Sequence, residues 1–262
     1  MRPADFNTGV DQPARPSSLL KRMLACIRFD EVAVLQGAPV IGAFCAMQTL
    51  SFSALWQVAL LLAGNLCLVA HVFVLNDWAG IEGDTRDPHR AGRTLLARGG
   101  RRDDAAMLAI ALLALALLLF SVVSATTFVL GLAIAGLSAL YSAPAVHGKG
   151  IPVFNSILHL SGGALHFLLG YSALSVMGGH SVAMGCYFGL VLPAGHLSHE
   201  PRDRDGDRLN GIRTNAVAFG VRPVVLASLI LFSIAYALLT SLALTGVLPR
   251  WLALTALLYP VQ

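Results

Sequence analysis

Charged side chains are scarce in this sequence. Asp, Glu, Lys and Arg together make up 12% of the 262 residues, whereas a soluble domain carries about a quarter. Apolar residues make up 56%, and the mean hydropathy is +0.72. This composition excludes an ordinary soluble globular domain and predicts a chain whose helices lie in lipid.

Paired cysteines are also lacking. The four cysteines are Cys26, Cys45, Cys67 and Cys186, and no two have the C-x-x-C spacing, so neither a disulfide framework nor a zinc site is indicated. The formal net charge is +4, but the basic residues flank apolar segments, where they contact lipid headgroups. The expected partner is therefore the lipid bilayer and not a nucleic acid.

The apolar residues are concentrated in runs that cross, or nearly cross, a bilayer, which takes roughly 20 residues. These runs lie at 32–52, 54–75, 105–123, 125–141, 153–175, 181–198, 223–240 and 244–262. The last contains Pro249 and Arg250, so we expect it to be short or incomplete. The fold class that follows is all-α, a polytopic transmembrane bundle of seven to nine helices. Residues 1–22 are expected to be a flexible cytoplasmic tail, and residues 23–262 a single transmembrane domain.

The basic residues indicate the orientation of these helices. If each run crosses once, 17 of the 18 Lys and Arg residues fall on the side of the N-terminal tail, and Arg250 alone falls on the other. The positive-inside rule assigns the charged side to the cytoplasm. The excess of Arg over Lys is compatible with a high-GC bacterium, so we expect the bacterial inner membrane.

All 14 acidic residues fall on that cytoplasmic face as well, and they concentrate after the second and the sixth apolar run. In the first segment Asp77 and Asp84 are seven positions apart, which places them on one face of a helix, with Asn76 beside them. In the second, Asp203 and Asp207 are four apart, about one helical turn. Equivalent positions predict two pseudo-repeated halves of four helices in parallel orientation.

Carboxylates one turn apart repel each other, and a hard divalent cation would offset that repulsion. Magnesium takes oxygen ligands and combines a few carboxylates with substrate phosphates. Two facing acidic clusters on one membrane face are therefore suited to hold a diphosphate through Mg²⁺. The alternative for either cluster alone is a solvated loop of mixed charge.

The motifs resemble those of the UbiA superfamily of intramembrane prenyltransferases. The first family motif, N-D-x-x-D-x-x-x-D, is matched by Asn76, Asp77 and Asp84. The second, D-x-x-x-D with an overlapping G-D-R-x-x-G-x-x-T, is matched by Asp203, Gly206, Asp207, Arg208, Gly211 and Thr214. The Y-S-x-P element with its later Lys and Asn is matched by Tyr141, Ser142, Pro144, Lys149 and Asn155. An R-P-L-P-x-G stretch is partly kept by Arg93, Leu95 and Gly99.

Two features depart from the family pattern. Gly80 stands where the first motif has its middle aspartate, so one expected metal ligand is missing, and Glu82 is a candidate to compensate. The family has nine helices, whereas this chain supplies at most eight apolar runs. The first departure favours an altered substrate class or a weakened enzyme.

The resemblance implies Mg²⁺-dependent transfer of a prenyl group from a polyprenyl diphosphate to an acceptor, expected to be an aromatic ring. The implied metal ligands are Asn76, Asp77, Asp84, Asp203 and Asp207. The implied catalytic residues are Lys149, Tyr141 and Arg93, and the implied substrate-binding residues are Arg28, Arg90, Arg213 and Asn155. Aromatic candidates to shield an allylic cation are Tyr141, Phe73, Phe167 and Tyr171.

Three other functions fit parts of the sequence. A terpene cyclase of the same fold would ionise the diphosphate and capture the cation internally. A transporter would be favoured by Gly162, Gly163 and Gly170 in the fifth run, but the firm spans carry no acidic or basic residue. The pairs His159/His166 and His196/His199 invite a redox-metal interpretation, although interior packing or contact with the acceptor explains them better.

Overall fold

The computed structural model describes residues 18, 27, 29–86, 91, 96 and 101–254. The helices are α1 (Phe29–Val34), α2 (Gly37–Ala46), α3 (Phe52–Arg86), α4 (Arg102–Val123), α5 (Ala125–Ser142), α6 (Phe154–Ser172), α7 (Gly179–Leu209), α8 (Asn215–Phe219) and α9 (Val221–Leu244). A 3₁₀ turn, Gly148–Gly150, lies between α5 and α6. The predicted all-α class is confirmed.

Five of the described helices are long and apolar enough to cross a membrane: α3, α4, α5, α7 and α9. Helix α6 has 19 residues, but its Asn, Ser and His side chains keep it out of this group. The apolar run predicted at 32–52 is divided into α1 and α2, which are separated at Leu35 and Gln36. Of the run predicted at 244–262, α9 ends at Leu244 and residues 255–262 lie outside the described residues.

Helices α3 and α7 are the longest, with 35 and 31 residues. At 1.5 Å per residue they measure about 52 and 46 Å, well beyond the roughly 30 Å of a bilayer's hydrocarbon core. Their excess length is at the C-terminal ends, and both acidic segments lie there. The acidic side chains are therefore carried on continuous helix rather than on loops.

Glycines allow three helices to pack with their backbones in contact. A Cβ on Gly42 of α2 would collide with the carbonyl oxygen of Phe167 in α6, and a Cβ on Gly170 of α6 would collide with the carbonyl oxygen of Pro39 in α2. A Cβ on Gly163 of α6 would likewise collide with the backbone of α7. Helix α6 is thus fixed between α2 and α7.

The core formed by α3, α4 and α5 packs around one aromatic ring. Phe120 of α4 is fully buried, and its ring occupies the space that Cβ atoms on Gly64 of α3 and Gly131 of α5 would need. Ser124 joins α4 to α5 and caps α5, because its hydroxyl accepts the backbone N–H of Thr127 at 3.0 Å. This tight connection lies at the break between the apolar runs predicted at 105–123 and 125–141.

Candidate functional site

A cavity of about 1580 Å³ lies inside the bundle. Residues of α3 line it on one side, and residues of α5, α6 and α7 line it on the other. Its polar wall is formed by the C-terminal ends of α3 and α7 and by the loop before α6. Its apolar wall includes Val34, Ile41, Phe188, Leu192 and Phe232. Typical small-molecule pockets measure about 300–1,000 Å³, so this cavity has room for a longer, largely apolar ligand with a polar end.

The α3 wall presents the first acidic segment. Asn76, Asp77 and Asp84 all line the cavity, as does Gly80 between them. A Cβ built on Gly80 would meet only Asp84 Oδ2, at 3.6 Å, which is ordinary van der Waals contact. Glu82 is not a lining residue; its exposed carboxylate lies 3.3 Å from Arg102.

The α7 wall presents the second acidic segment. Asp203 and Asp207 both line the cavity. Asp207 is buried, whereas the side chain of Asp203 is 37% exposed and lies 3.5 Å from the guanidinium of Arg202. The helix continues through both Pro193 and Pro201 to Leu209, so the one-turn spacing of the two aspartates is kept.

The two acidic segments approach each other at one end of the cavity. A Cβ on Gly83 of α3 would lie 3.3 Å from Cγ of Asn210, the residue that follows α7. Asn210 also lines the cavity, and its Oδ1 is buried with no hydrogen-bond partner in the part of the chain that the structure describes. Segments about 120 positions apart in sequence thus form one polar rim.

The other predicted site residues are distributed differently. Lys149 and Tyr141 line the cavity. Arg213 is exposed and, like Asn155, is not a lining residue. The remaining predicted residues lie outside the described residues: Arg28, Arg90 and Arg93.

Lys149 is presented by a loop with unusual backbone conformation. Two non-glycine residues in it have positive φ, His147 at 51° and Val153 at 66°. For a β-branched residue such as Val153 this conformation is strained. The side-chain oxygen of Asn215 accepts the Val153 N–H at 2.6 Å, which holds the strained residue in place.

Asn155 belongs to a buried polar network rather than to the cavity wall. Its Nδ2 donates to Glu200 Oε1 at 3.1 Å, and its Oδ1 accepts from Asn215 at 2.7 Å. Asn215 also donates to Glu200 Oε1 at 2.8 Å, and the backbone N–H of Ala216 donates to Oε2 at 2.7 Å. Three N–H donors on two oxygens match an ionised carboxylate. The network joins α6, α7 and α8 behind the acidic wall.

Imidazole rings form part of the cavity wall on the α6–α7 side. The rings of His159 and His196 stack with centroids 3.7 Å apart and planes 13° apart. The ring of Tyr141 meets His159 edge-on at 5.3 Å, and Nε2 of His196 lies 3.1 Å from Oε1 of Glu200. Sequence spacing within α6 and within α7 could not show that these two histidines touch, because the contact is between helices.

The aromatic candidates are divided between cavity and core. Phe73 and Tyr141 line the cavity. Phe167 is fully buried and stacks on Phe188 with centroids 5.1 Å apart. Phe188 is itself a lining residue that sequence reasoning did not single out.

The carboxylates do not form a closed metal cage. Across the described residues, no three His, Cys, Asp or Glu side chains are arranged as a metal-binding group. Magnesium in phosphate-binding enzymes is held by one or two carboxylates together with water and substrate phosphate. The oxygen-rich rim is compatible with that mode of binding, in which the substrate completes the coordination.

Comparison with known proteins shows where the fold recurs. A UbiA homolog from Archaeoglobus fulgidus bound to GPP and Mg²⁺ superposes with a TM-score of 0.78 at 20% identity, covering 92% of this chain and 84% of the homolog. The same homolog bound to DMAPP and Mg²⁺ gives 0.73 at 21% identity, covering 86% and 78%. An apo UbiA homolog from Aeropyrum pernix K1 gives 0.72 at 19% identity, covering 90% and 88%.

No curated protein sequence matches the chain. The sequence profile described as the UbiA prenyltransferase family matches residues 37–262, which includes both acidic segments and the loop that carries Lys149. With five described helices apolar enough to span a bilayer, the chain is an integral-membrane member of the UbiA prenyltransferase family.

Proposed function

We propose that this prenyltransferase moves a prenyl group from a polyprenyl diphosphate to an aromatic acceptor, with Mg²⁺ as the cofactor. The observation that carries the proposal is the shared cavity: Asp77 and Asp84 of α3 and Asp203 and Asp207 of α7 line one space that also has an apolar wall. A diphosphate with an isoprenoid tail has the same division between a charged end and an apolar end.

The chemistry of the rim fits the proposed metal. Carboxylate and amide oxygens are the donors that Mg²⁺ prefers, and Asn76, Asp77, Asp84, Asp203 and Asp207 supply them. The buried Oδ1 of Asn210, which has no partner among the described residues, is a further oxygen beside this set. When bound, Mg²⁺ would neutralise the charge that develops on the leaving diphosphate.

The remaining residues of the wall bind and orient the substrates. Lys149, on its strained loop, and Arg202 are the described cationic side chains of the wall, and they would donate hydrogen bonds to diphosphate oxygens. Tyr141 and Phe73 offer aromatic faces to an allylic cation. Exposed Arg213 and buried Asn155 would act indirectly, the latter through Glu200. The roles of Arg28, Arg90 and Arg93 in contacting the diphosphate are supported by the resemblance to UbiA motifs.

The proposed setting is the bacterial inner membrane, with the polar rim on the cytoplasmic side. The support is the distribution of basic residues, which leaves Arg250 alone on the opposite side. Membership of the UbiA prenyltransferase family favours prenyl transfer over membrane transport as the function. Identification of the product tests the aromatic nature of the acceptor.

The test compares wild-type protein with Asp77→Ala and Asp203→Ala, purified in lipid nanodiscs. Diphosphate release from geranyl diphosphate is measured with a panel of phenols, with Mg²⁺ or with EDTA. The activity of each variant is expected to be lower than that of wild type by a factor of about 100 or more, because the charge of the transition state loses a stabilising group. Asp103→Ala is the matched control, because Asp103 is exposed on α4 and outside the cavity.

Retained activity in both cavity variants would contradict the proposal, and so would full activity in EDTA. The product mass separates the alternatives. A prenylated phenol supports transfer, whereas a hydrocarbon with the mass of the donor less its diphosphate identifies a cyclase.

A further inference from the structure

Of the four histidine side chains of α6 and α7 that line the cavity, three are held by contacts with neighbouring groups, and the reaction proposed above gives none of the four a role. His159 and His166 lie two turns apart on α6, and His196 lies on α7. Polar groups inside a membrane protein are costly and usually mark a functional pathway or site. Their hydrogen bonds define what each ring can offer to a ligand.

Two of the three rings have a fixed tautomer. Nδ1 of His159 lies 2.7 Å from the carbonyl oxygen of Asn155, and Nδ1 of His166 lies 2.8 Å from that of Gly162. A carbonyl oxygen only accepts hydrogen bonds, so in both rings Nδ1 carries the hydrogen and Nε2 carries a lone pair. Nε2 of His166 is buried, and neither Nε2 has a hydrogen-bond partner among the described residues.

The third ring is oriented by Glu200. Nε2 of His196 is buried 3.1 Å from Glu200 Oε1. Since three N–H groups from Asn155, Asn215 and Ala216 also point to that carboxylate, it acts as an acceptor only. Nε2 is the ring nitrogen in contact with this acceptor, although the pair does not have full hydrogen-bond geometry, so we assign the ring hydrogen to Nε2 and the lone pair to Nδ1.

The remaining ring nitrogens of His159, His166 and His196 thus offer lone pairs to a ligand and not N–H groups. A ligand bound there has to bring its own N–H or O–H groups, because an unpaired polar atom in a desolvated site is costly. The buried negative charge of Glu200 behind His196 also disfavours an anionic ligand. The stacked His159 and His196 rings and the edge of Tyr141 provide apolar surface beside an aromatic ring.

We propose that His159, His196 and Glu200 form the acceptor subsite, which takes a neutral phenol in preference to an aromatic carboxylate. Nε2 of His159 accepts the hydrogen bond from the phenol hydroxyl. Nδ1 of His196 is the catalytic base, and Glu200 is the positioning residue that stabilises the resulting imidazolium. This inference rests on the proposed function and specifies its second substrate.

The proton balance of the step is simple. The allylic C1–O bond breaks, and its electron pair leaves with the diphosphate. The electron pair for the new C–C bond comes from a ring carbon of the phenol. The hydrogen on that carbon leaves as a proton to His196 Nδ1, and the electrons of the C–H bond restore the aromatic ring.

The first experiment removes the base while leaving the donor site intact. His196→Ala and His196→Gln proteins are assayed with geranyl diphosphate, Mg²⁺ and 4-methylphenol. The expected loss in kcat is about 100-fold, as for removal of a general base, with an unchanged Kd for geranyl diphosphate and partial recovery of the alanine variant by added imidazole. His180→Ala, at the exposed start of α7 outside the cavity lining, should behave as wild type.

The second experiment tests the substrate class. Methyl 4-hydroxybenzoate and 4-hydroxybenzoate share a ring and a hydroxyl but differ in charge. The neutral ester is expected to have a kcat/KM about tenfold higher or more, since burying a charge without a partner is unfavourable. Glu200→Gln should lower kcat with little change in the KM for the ester. It should also reduce the ratio of kcat/KM for the ester to kcat/KM for the carboxylate.

Clear outcomes would overturn the inference. These are a loss in kcat below tenfold in both His196 variants, no recovery with imidazole, a parallel loss of geranyl diphosphate binding, or faster turnover of the carboxylate. Wild-type protein that releases diphosphate with Mg²⁺ but prenylates no phenol also overturns it and leaves the donor half of the proposed function standing. Absence of Mg²⁺-dependent binding of geranyl diphosphate to wild type would instead refute the proposed function itself.

Discussion

The two acidic walls of the cavity lie on α3 and α7 and differ in their surroundings. On α7, the aspartates follow Glu200, which is buried and accepts hydrogen bonds from three groups on α6 and α8. On α3, Gly80 replaces a carboxylate, and neighbouring Glu82 points outward to Arg102. The α7 wall thus has a buried carboxylate joined to two neighbouring helices, whereas the α3 wall has a glycine and an outward-facing carboxylate.

The largest expected effect is the loss of support on α7. Glu200→Ala leaves the N–H groups of Asn155, Asn215 and Ala216 without their acceptor, at a cost of about 1–3 kcal/mol for each group that stays unpaired. We expect a marked drop in the melting temperature of the detergent-purified protein and loss of activity. Thermal stability measured by size-exclusion chromatography after heating checks this. A melting temperature equal to that of wild type would mean that the network does not stabilise α7.

A smaller effect is expected from rebuilding the α3 wall with Gly80→Asp. The space around Gly80 admits a Cβ at ordinary contact distance from Asp84, so the change is sterically tolerated. An added carboxylate should lower the Mg²⁺ concentration for half-maximal activity by about threefold or more, because ligand charge tunes affinity for hard cations. The same variant should be less stable in EDTA, where two carboxylates repel each other. An unchanged Mg²⁺ requirement would show that this position does not face the metal.

The smallest effect is expected from Glu82→Gln. Its carboxylate is exposed and paired with a half-exposed Arg102, and such surface pairs contribute about 0–1 kcal/mol. Melting temperature and Mg²⁺ dependence should both match those of wild type. A raised Mg²⁺ requirement would instead revive Glu82 as the residue that compensates for Gly80.

Much of this architecture follows from local patterns. Apolar runs predicted the long helices, and spacings of seven and four positions predicted which aspartates share a face; Asp77, Asp84, Asp203 and Asp207 do line one cavity. Such patterns are local in sequence, which is why they can be read without a structure. The division of the first run into α1 and α2 was not predictable in this way, since it accompanies packing of α2 on α6.

The role of Glu200 was beyond sequence reasoning for a related reason. A carboxylate followed by Pro201 at the end of an apolar run suggests a solvated helix end, but α7 continues to Leu209. The groups that donate hydrogen bonds to Glu200 are 15, 16 and 45 positions away. Only the fold brings Asn155 and Asn215 to it, so the burial of Glu200 depends on long-range contacts that a motif does not encode.

The backbone contact of α2 with α6, and of α6 with α7, has a mechanical consequence. With glycine at Gly42, Gly163 and Gly170, these helices are in contact without intervening side chains that could change rotamer. We therefore expect α2, α6 and α7 to move together as one rigid unit. If the enzyme closes around its substrates, the displacement should come from movement of α3 toward this unit. Distance measurements between spin labels on α3 and α6 would record it.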